Sequence, residues 1–193
     1  EELALFAKHR TTAPRTADPL RDEVRPLDQN TAAPVALGAE MGRQGRWKEA
    51  AAAYEQALEI NPETIEAHVN LIMIYGRLAN LPKAEEHYRA AAQLHPDYPE
   101  IYFNFAMVLA EGGRYAEAES GFRKALEINP FHPEAHNFLG DVLQRQGRLA
   151  EAAEEFRKAI ENRPSFAQAH FNLGRILVNE KNYREGIEHF LRG

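Results

Sequence analysis

With 44% hydrophobic and 27% charged residues, this 193-residue chain has the composition of a soluble protein, long enough for one domain or one short array of repeats. Its formal net charge of −6 argues against non-specific nucleic-acid binding, which needs a basic face. No run approaches ~20 apolar residues, so there is no membrane span, and the lack of cysteine excludes disulfides, a thiolate nucleophile and cysteine-ligated zinc.

The chain opens at Glu1 without an initiator methionine, as expected of a processed chain or a piece of a longer one. Residues 1–30 read as a Pro-rich arm or linker. Glu2 to Arg10 is a short helical stretch, and Pro14, Pro19 and Pro26 then impose extended conformations among mixed charges. An arm of this kind is expected to pack on something. It caps the first helix through Leu20, Val24 and Leu27, or lies in a groove of its own or of a neighbouring copy.

From Thr31 a period takes over. Gly113 to Pro130 (GRYAEAESGFRKALEINP) recurs 34 positions on, at Gly147 to Pro164, and stands 68 positions upstream at Gly45 to Pro62. A fixed period of this length marks a stacked-repeat architecture. Aligning on the prolines gives five units, 31–64, 65–98, 99–132, 133–166 and a truncated 167–193, each read as two helices. The first helix carries Leu37 and Met41, Leu71 and Tyr75, Phe105 and Leu109, Leu139 and Leu143, or Leu173 and Leu177 at helical spacing. A break follows, with glycine at 45, 113 and 147, and the second helix ends at Pro62, Pro96, Pro130 or Pro164. Small residues (Gly38, Ala106, Gly140, Gly174) are set against an aromatic column (Tyr54, Tyr88, Phe122, Phe156, Phe190), so the helices should interdigitate.

These columns resemble the tetratricopeptide repeat family over residues 31–193. The resemblance implies an all-α solenoid, a right-handed superhelix of helix pairs. Two positions depart from the pattern. Ile72 stands where a small residue is expected, predicting a wider helix pair, and the family's tryptophan place holds Pro34, His68, Tyr102, His136 and His170. The resemblance also implies a function without catalysis or cofactor: a concave groove, lined by the first helices, that holds an extended protein or peptide segment.

Helical geometry assigns the groove an apolar set, Val69, Met73, Phe103, Met107 and Phe171, and a basic set, Arg77, Arg145 and Arg175. Methionines and aromatics suit an adaptable surface, or else pack against the neighbouring helix. Asn70, Asn104 and Asn172 share one column, interrupted by Phe138. The column resembles the asparagine ladder of the O-linked N-acetylglucosamine transferase superhelix, whose amides bind a peptide backbone. The alternative is that these amides tie the first helices to each other or to water.

No nucleophile with its base, phosphate loop or paired-carboxylate cleft is evident. The recurring histidines stand about 10 Å apart, too far for one metal. Val35 and Ala39 exclude a basic clamp for an acidic terminus. Phe190 and Leu191 are expected on an exposed edge. Two other readings remain, an oligomerisation module and a regulatory appendage of a larger protein.

Overall fold

The computed structural model describes residues 30–192. The expected arm therefore lies outside the described residues, apart from Asn30. Ten helices follow in order: α1 (Ala32–Arg43), α2 (Trp47–Ile60), α3 (Ile65–Arg77), α4 (Leu81–Leu94), α5 (Pro99–Glu111), α6 (Tyr115–Ile128), α7 (Pro133–Arg145), α8 (Leu149–Asn162), α9 (Ala167–Asn179) and α10 (Tyr183–Arg192). Each odd-numbered helix packs on the helix that follows it, and each even-numbered one on the next pair. The odd helices also touch one another, α1 with α3, α3 with α5, and on to α9, whereas successive even helices do not pack closely. The odd helices therefore form the inner, concave layer of a right-handed α-solenoid. No described helix is long and apolar enough to cross a membrane.

One turn is repeated inside every pair. Gly45, Gly113 and Gly147 take φ of +71°, +76° and +80°, and Ala79 (+54°) and Lys181 (+66°) occupy the same place. In the first pair the N–H of Gly45 donates to the Gly42 carbonyl (3.0 Å) and that of Arg46 to the Met41 carbonyl (2.9 Å). This double bond is a Schellman closure, which needs a left-handed residue at its centre. Glycine meets that demand without a Cβ clash, which is why the sequence breaks there.

The small-against-large columns act within a pair. A Cβ added to Gly38 would lie 2.7 Å from the Tyr54 ring, and one on Gly140 would lie 2.7 Å from the Phe156 ring. Tyr54, Phe122 and Phe156 are fully buried, as are Ala57, Ala91, Ala125 and Ala159. Ile72 is fully buried. It fills the slot that Tyr88 would enter, and Tyr88 turns out to stack on Phe105 of the next pair (ring centroids 4.3 Å, interplanar angle 10°). Leu37, expected in the apolar stripe of α1, is 49% exposed, because no earlier pair covers that side among the described residues.

The residues at the tryptophan place fasten the turn between pairs. His68, His136 and His170 each donate Nε2–H to the carbonyl of the proline six positions earlier (2.9 Å). The Tyr102 hydroxyl does the same to Pro96 (2.9 Å). Their other ring nitrogens reach across the pair. Nδ1 of His68 lies 3.1 Å from Nδ1 of His87, Nδ1 of His170 lies 2.8 Å from Nδ1 of His189, and Nδ1 of His136 lies 2.6 Å from Glu155 Oε2.

Candidate functional site

The concave face is built by α1, α3, α5, α7 and α9, and its two halves differ. Toward α9 it is filled from within. The Asn172 amide is buried, donates to Asn137 Oδ1 (3.2 Å) and accepts from Gln168 Nε2 (3.3 Å). Phe103 is packed among its neighbours, stacked on His132 (4.9 Å) and against Phe122 and Phe138 (5.7 and 5.8 Å). Val69 is buried, so its side chain is core rather than groove surface. Phe171 is half exposed, leaning on Phe190 (5.7 Å), with the Arg175 guanidinium 5.9 Å from its ring centroid.

Toward α1 the face is open among the described residues. Asn70 is partly exposed, and its amide donates to the Glu66 carbonyl of its own helix (2.8 Å). Asn104, one pair further on, makes only a long contact (3.5 Å) to the Val69 carbonyl. Among the described residues neither Oδ1 accepts a hydrogen bond, so both amides face the groove with an acceptor to spare. Met73 and Met107 are partly buried on the core.

Between α1 and α3 lies a cleft of about 400 Å³. Gly38, Ala39 and Gly42 form one wall, and Asn70, Met73 and Ile74 the other. Trp47 and Tyr54 of α2 make the floor, with Arg43 and Arg77 at the rim. Among the described residues no carboxylate lines it. Arg43 pairs with Glu40, and Arg77 with Glu111 at 3.4 Å, both pairs being solvent-exposed. Arg145 is taken up elsewhere, by Asp141 (2.8 Å) and the Tyr115 hydroxyl (3.4 Å).

The eleven groove residues expected from sequence are therefore divided. Asn70, Met73 and Arg77 come together at the cleft, and Asn104 and Met107 continue the same face. Val69, Phe103 and Asn172 are drawn into packing, Arg145 is held by Asp141 and Tyr115, and Phe171 and Arg175 form a separate pair near α10. Trp47, Tyr54, Arg43 and Gly42 were not foreseen. Trp47 and Tyr54 belong to a second helix, and they reach the cleft beside the small residues Gly38 and Gly42. The lone tryptophan was the signal available. In α5, Glu100 keeps Oε2 buried without a partner among the described residues. Glu134, one period on, is paired with Arg163, and Asn129 occupies the corresponding place for Glu100.

Comparison with known proteins gives one consistent result. Models described as tetratricopeptide repeat match residues 103–165, 139–193 and 63–130, and one described as TPR repeat matches 43–78. No curated protein matches the sequence. Among solved structures, pilF of Pseudomonas aeruginosa is 24% identical with a TM-score of 0.78, over 88% of this chain and 78% of that one. MamA from Desulfovibrio magneticus RS-1 is 18% identical with a TM-score of 0.70, over 84% and 92%. YrrB, described as a TPR protein with an unusual peptide-binding site, is 19% identical with a TM-score of 0.63, over 92% and 91%. At these identities the likeness is one of fold.

Proposed function

The chain is a tetratricopeptide repeat protein, and from that premise we propose that it is a non-catalytic scaffold holding an extended protein segment along its concave face. In this reading the chain divides into an arm, 1–30, and five units from 31 to 193. The observation that carries the proposal is the pair of amide oxygens at Asn70 and Asn104, one repeat apart and unused by the fold among the described residues. An extended peptide offers backbone N–H groups whatever its side chains, so such amides are ladder rungs that read conformation rather than sequence. The ladder has two rungs, because Asn172 is spent on Asn137. The peptide-binding site of YrrB is a parallel on a similar fold.

The test is capture of an array of unstructured peptides by the whole chain. Asn104→Ala and Asn70→Ala together should lower capture about tenfold while leaving the melting temperature within a degree or two, since these amides contribute little to packing. Unchanged capture, or a loss of capture that follows a loss of fold, sinks the reading.

A second reading, as an oligomerisation module, has an observation of its own. Ile187, Phe190 and Leu191 of α10 are 54%, 39% and 82% exposed. It requires a mass in light scattering that rises with concentration and falls when Phe190 and Leu191 are made polar.

A further inference from the structure

One helical glycine, among the described residues, has no packing reason to be a glycine. Among the helical glycines, Gly38, Gly76, Gly121, Gly140, Gly174 and Gly186 all sit where a Cβ would come within 3.0 Å of a neighbour. The glycines at 45, 113 and 147 have positive φ. Gly42 has neither property: it is helical, and a Cβ added there would meet nothing within 4 Å. A glycine inside a helix is less stable than alanine, and the same place in later repeats holds Gly76, Ala110, Gln144 and Val178, of which Gly76 is held to glycine by Val108, 2.5 Å from where its Cβ would stand. The space that a side chain would fill is the cleft of about 400 Å³ between α1 and α3. A local rule broken without structural gain points to room kept for something else.

The chemistry of the walls describes the occupant. The floor is aromatic, Trp47 and Tyr54, with the soft thioether of Met73 beside it. The polar groups at the opening are two guanidiniums, Arg43 and Arg77, and the Asn70 amide, with no carboxylate in the lining among the described residues. Each arginine is held by a single exposed carboxylate, Glu40 or Glu111. Exposed pairs of this kind are weak and exchange readily for a better-placed anion. We propose that this cleft is the anchoring subsite of the groove. It receives a bulky apolar side chain of an extended acidic peptide, whose backbone crosses close over Gly42 and whose neighbouring carboxylate exchanges onto Arg43 and Arg77. The proposal rests on the groove reading above and specifies where and by what chemistry it begins. The cleft volume of about 400 Å³ lies at the lower end of the range of ligand-sized sites, about 300–1,000 Å³.

Trp47 supplies the reporter, because it is the one tryptophan in the sequence and it floors the cleft. The whole chain is titrated with a short peptide alternating leucine and glutamate. Two controls carry lysine for glutamate and serine for leucine. The expected result is a change in Trp47 emission with the leucine–glutamate peptide alone, and an affinity that weakens as salt is raised. A Cβ at position 42 meets nothing within 4 Å, so Gly42→Leu projects its side chain into the cleft and should weaken binding about tenfold or more while the melting temperature holds or rises. Arg43→Gln with Arg77→Gln should weaken it comparably and remove the salt dependence.

Peptide binding by anisotropy that neither shifts Trp47 emission nor responds to Gly42→Leu overturns the cleft and leaves the groove reading standing. Equal or tighter binding of the lysine peptide overturns the acidic assignment. Failure of all three peptides and of the wider peptide array overturns both proposals together.

Discussion

His68 and His87 face each other through their Nδ1 atoms, 3.1 Å apart, across the helix pair α3–α4. The Pro62 carbonyl can only accept, so Nε2 of His68 carries the proton and its Nδ1 presents a lone pair; His87 must donate. Burial first, and then the neighbouring His68, push the His87 pKa down to about 4. Tyr75 stacks on the ring; Glu55 and Glu86 pull the other way, and Lys83 adds to the depression. The unfolded chain takes up this proton near pH 6.5, whereas the folded chain refuses it until about pH 4. The stability is therefore whole above pH 6.5 and drains away as pH falls through 4, by about 3 kcal/mol at most. Urea unfolding between pH 7.5 and 4 should show this decline, and His87→Gln, which keeps a donor without titrating, should flatten it.

The corresponding contact in α7–α8 has the opposite character. Burial works against the Glu155 carboxylate, yet hydrogen bonds from His136 and Lys158 outweigh it and its pKa falls below the usual carboxylate value. A lowered carboxylate contributes stability above its unfolded pKa of about 4.3, lost as pH drops through the folded value. Glu155→Gln should destabilise by about 2 kcal/mol at pH 7, and the gap from the parent protein should close below pH 4. A gap that persists at pH 3 would show that shape rather than charge is at stake.

Ala79 and Lys181 hold the left-handed turn without glycine. The strain of placing a Cβ there is about 1 kcal/mol. Ala79→Gly should raise stability by about 0.5 kcal/mol after the entropy of the unfolded glycine is subtracted, and Lys181→Gly should do the same. Gly113→Ala should lower stability, in thermal melts of the three proteins side by side.

Two glycines of identical helical setting should respond oppositely to alanine. Gly140→Ala drives a methyl group against the fully buried Phe156 ring and should cost about 1–3 kcal/mol. Gly42→Ala meets nothing and should be neutral or stabilising by up to about 1 kcal/mol. If both destabilise alike, the space beside Gly42 is not open in solution.

The fold was legible in the sequence because its constraints repeat. Gly45, Gly113 and Gly147 announce a turn that needs positive φ, and the columns of alanine and aromatic residues record helices in contact. The concave face was less legible, for reasons specific to its residues. Asn70, Asn104 and Asn172 share a column, yet only Asn172 meets Asn137, and that encounter depends on a neighbour 35 positions away. Gly38 and Gly42 are the same residue one helical turn apart, one forced by a ring and the other free. Periodicity cannot separate these cases, since it reports which positions face inward but not what stands opposite. The effect of Ile72 on Tyr88 lay out of reach for the same reason: a single substitution was absorbed by a ring in the next pair.

The strong helix contacts, among the described residues, join elements one or two places apart in the chain and none further. Contacts this local make for rapid folding, in the microsecond to millisecond range, and for stability that is summed link by link. Cooperativity is then finite: hydrogen exchange should be slowest in α5 to α8 and grade off outward, so that the α1–α3 junction can open while the middle of the array stays closed.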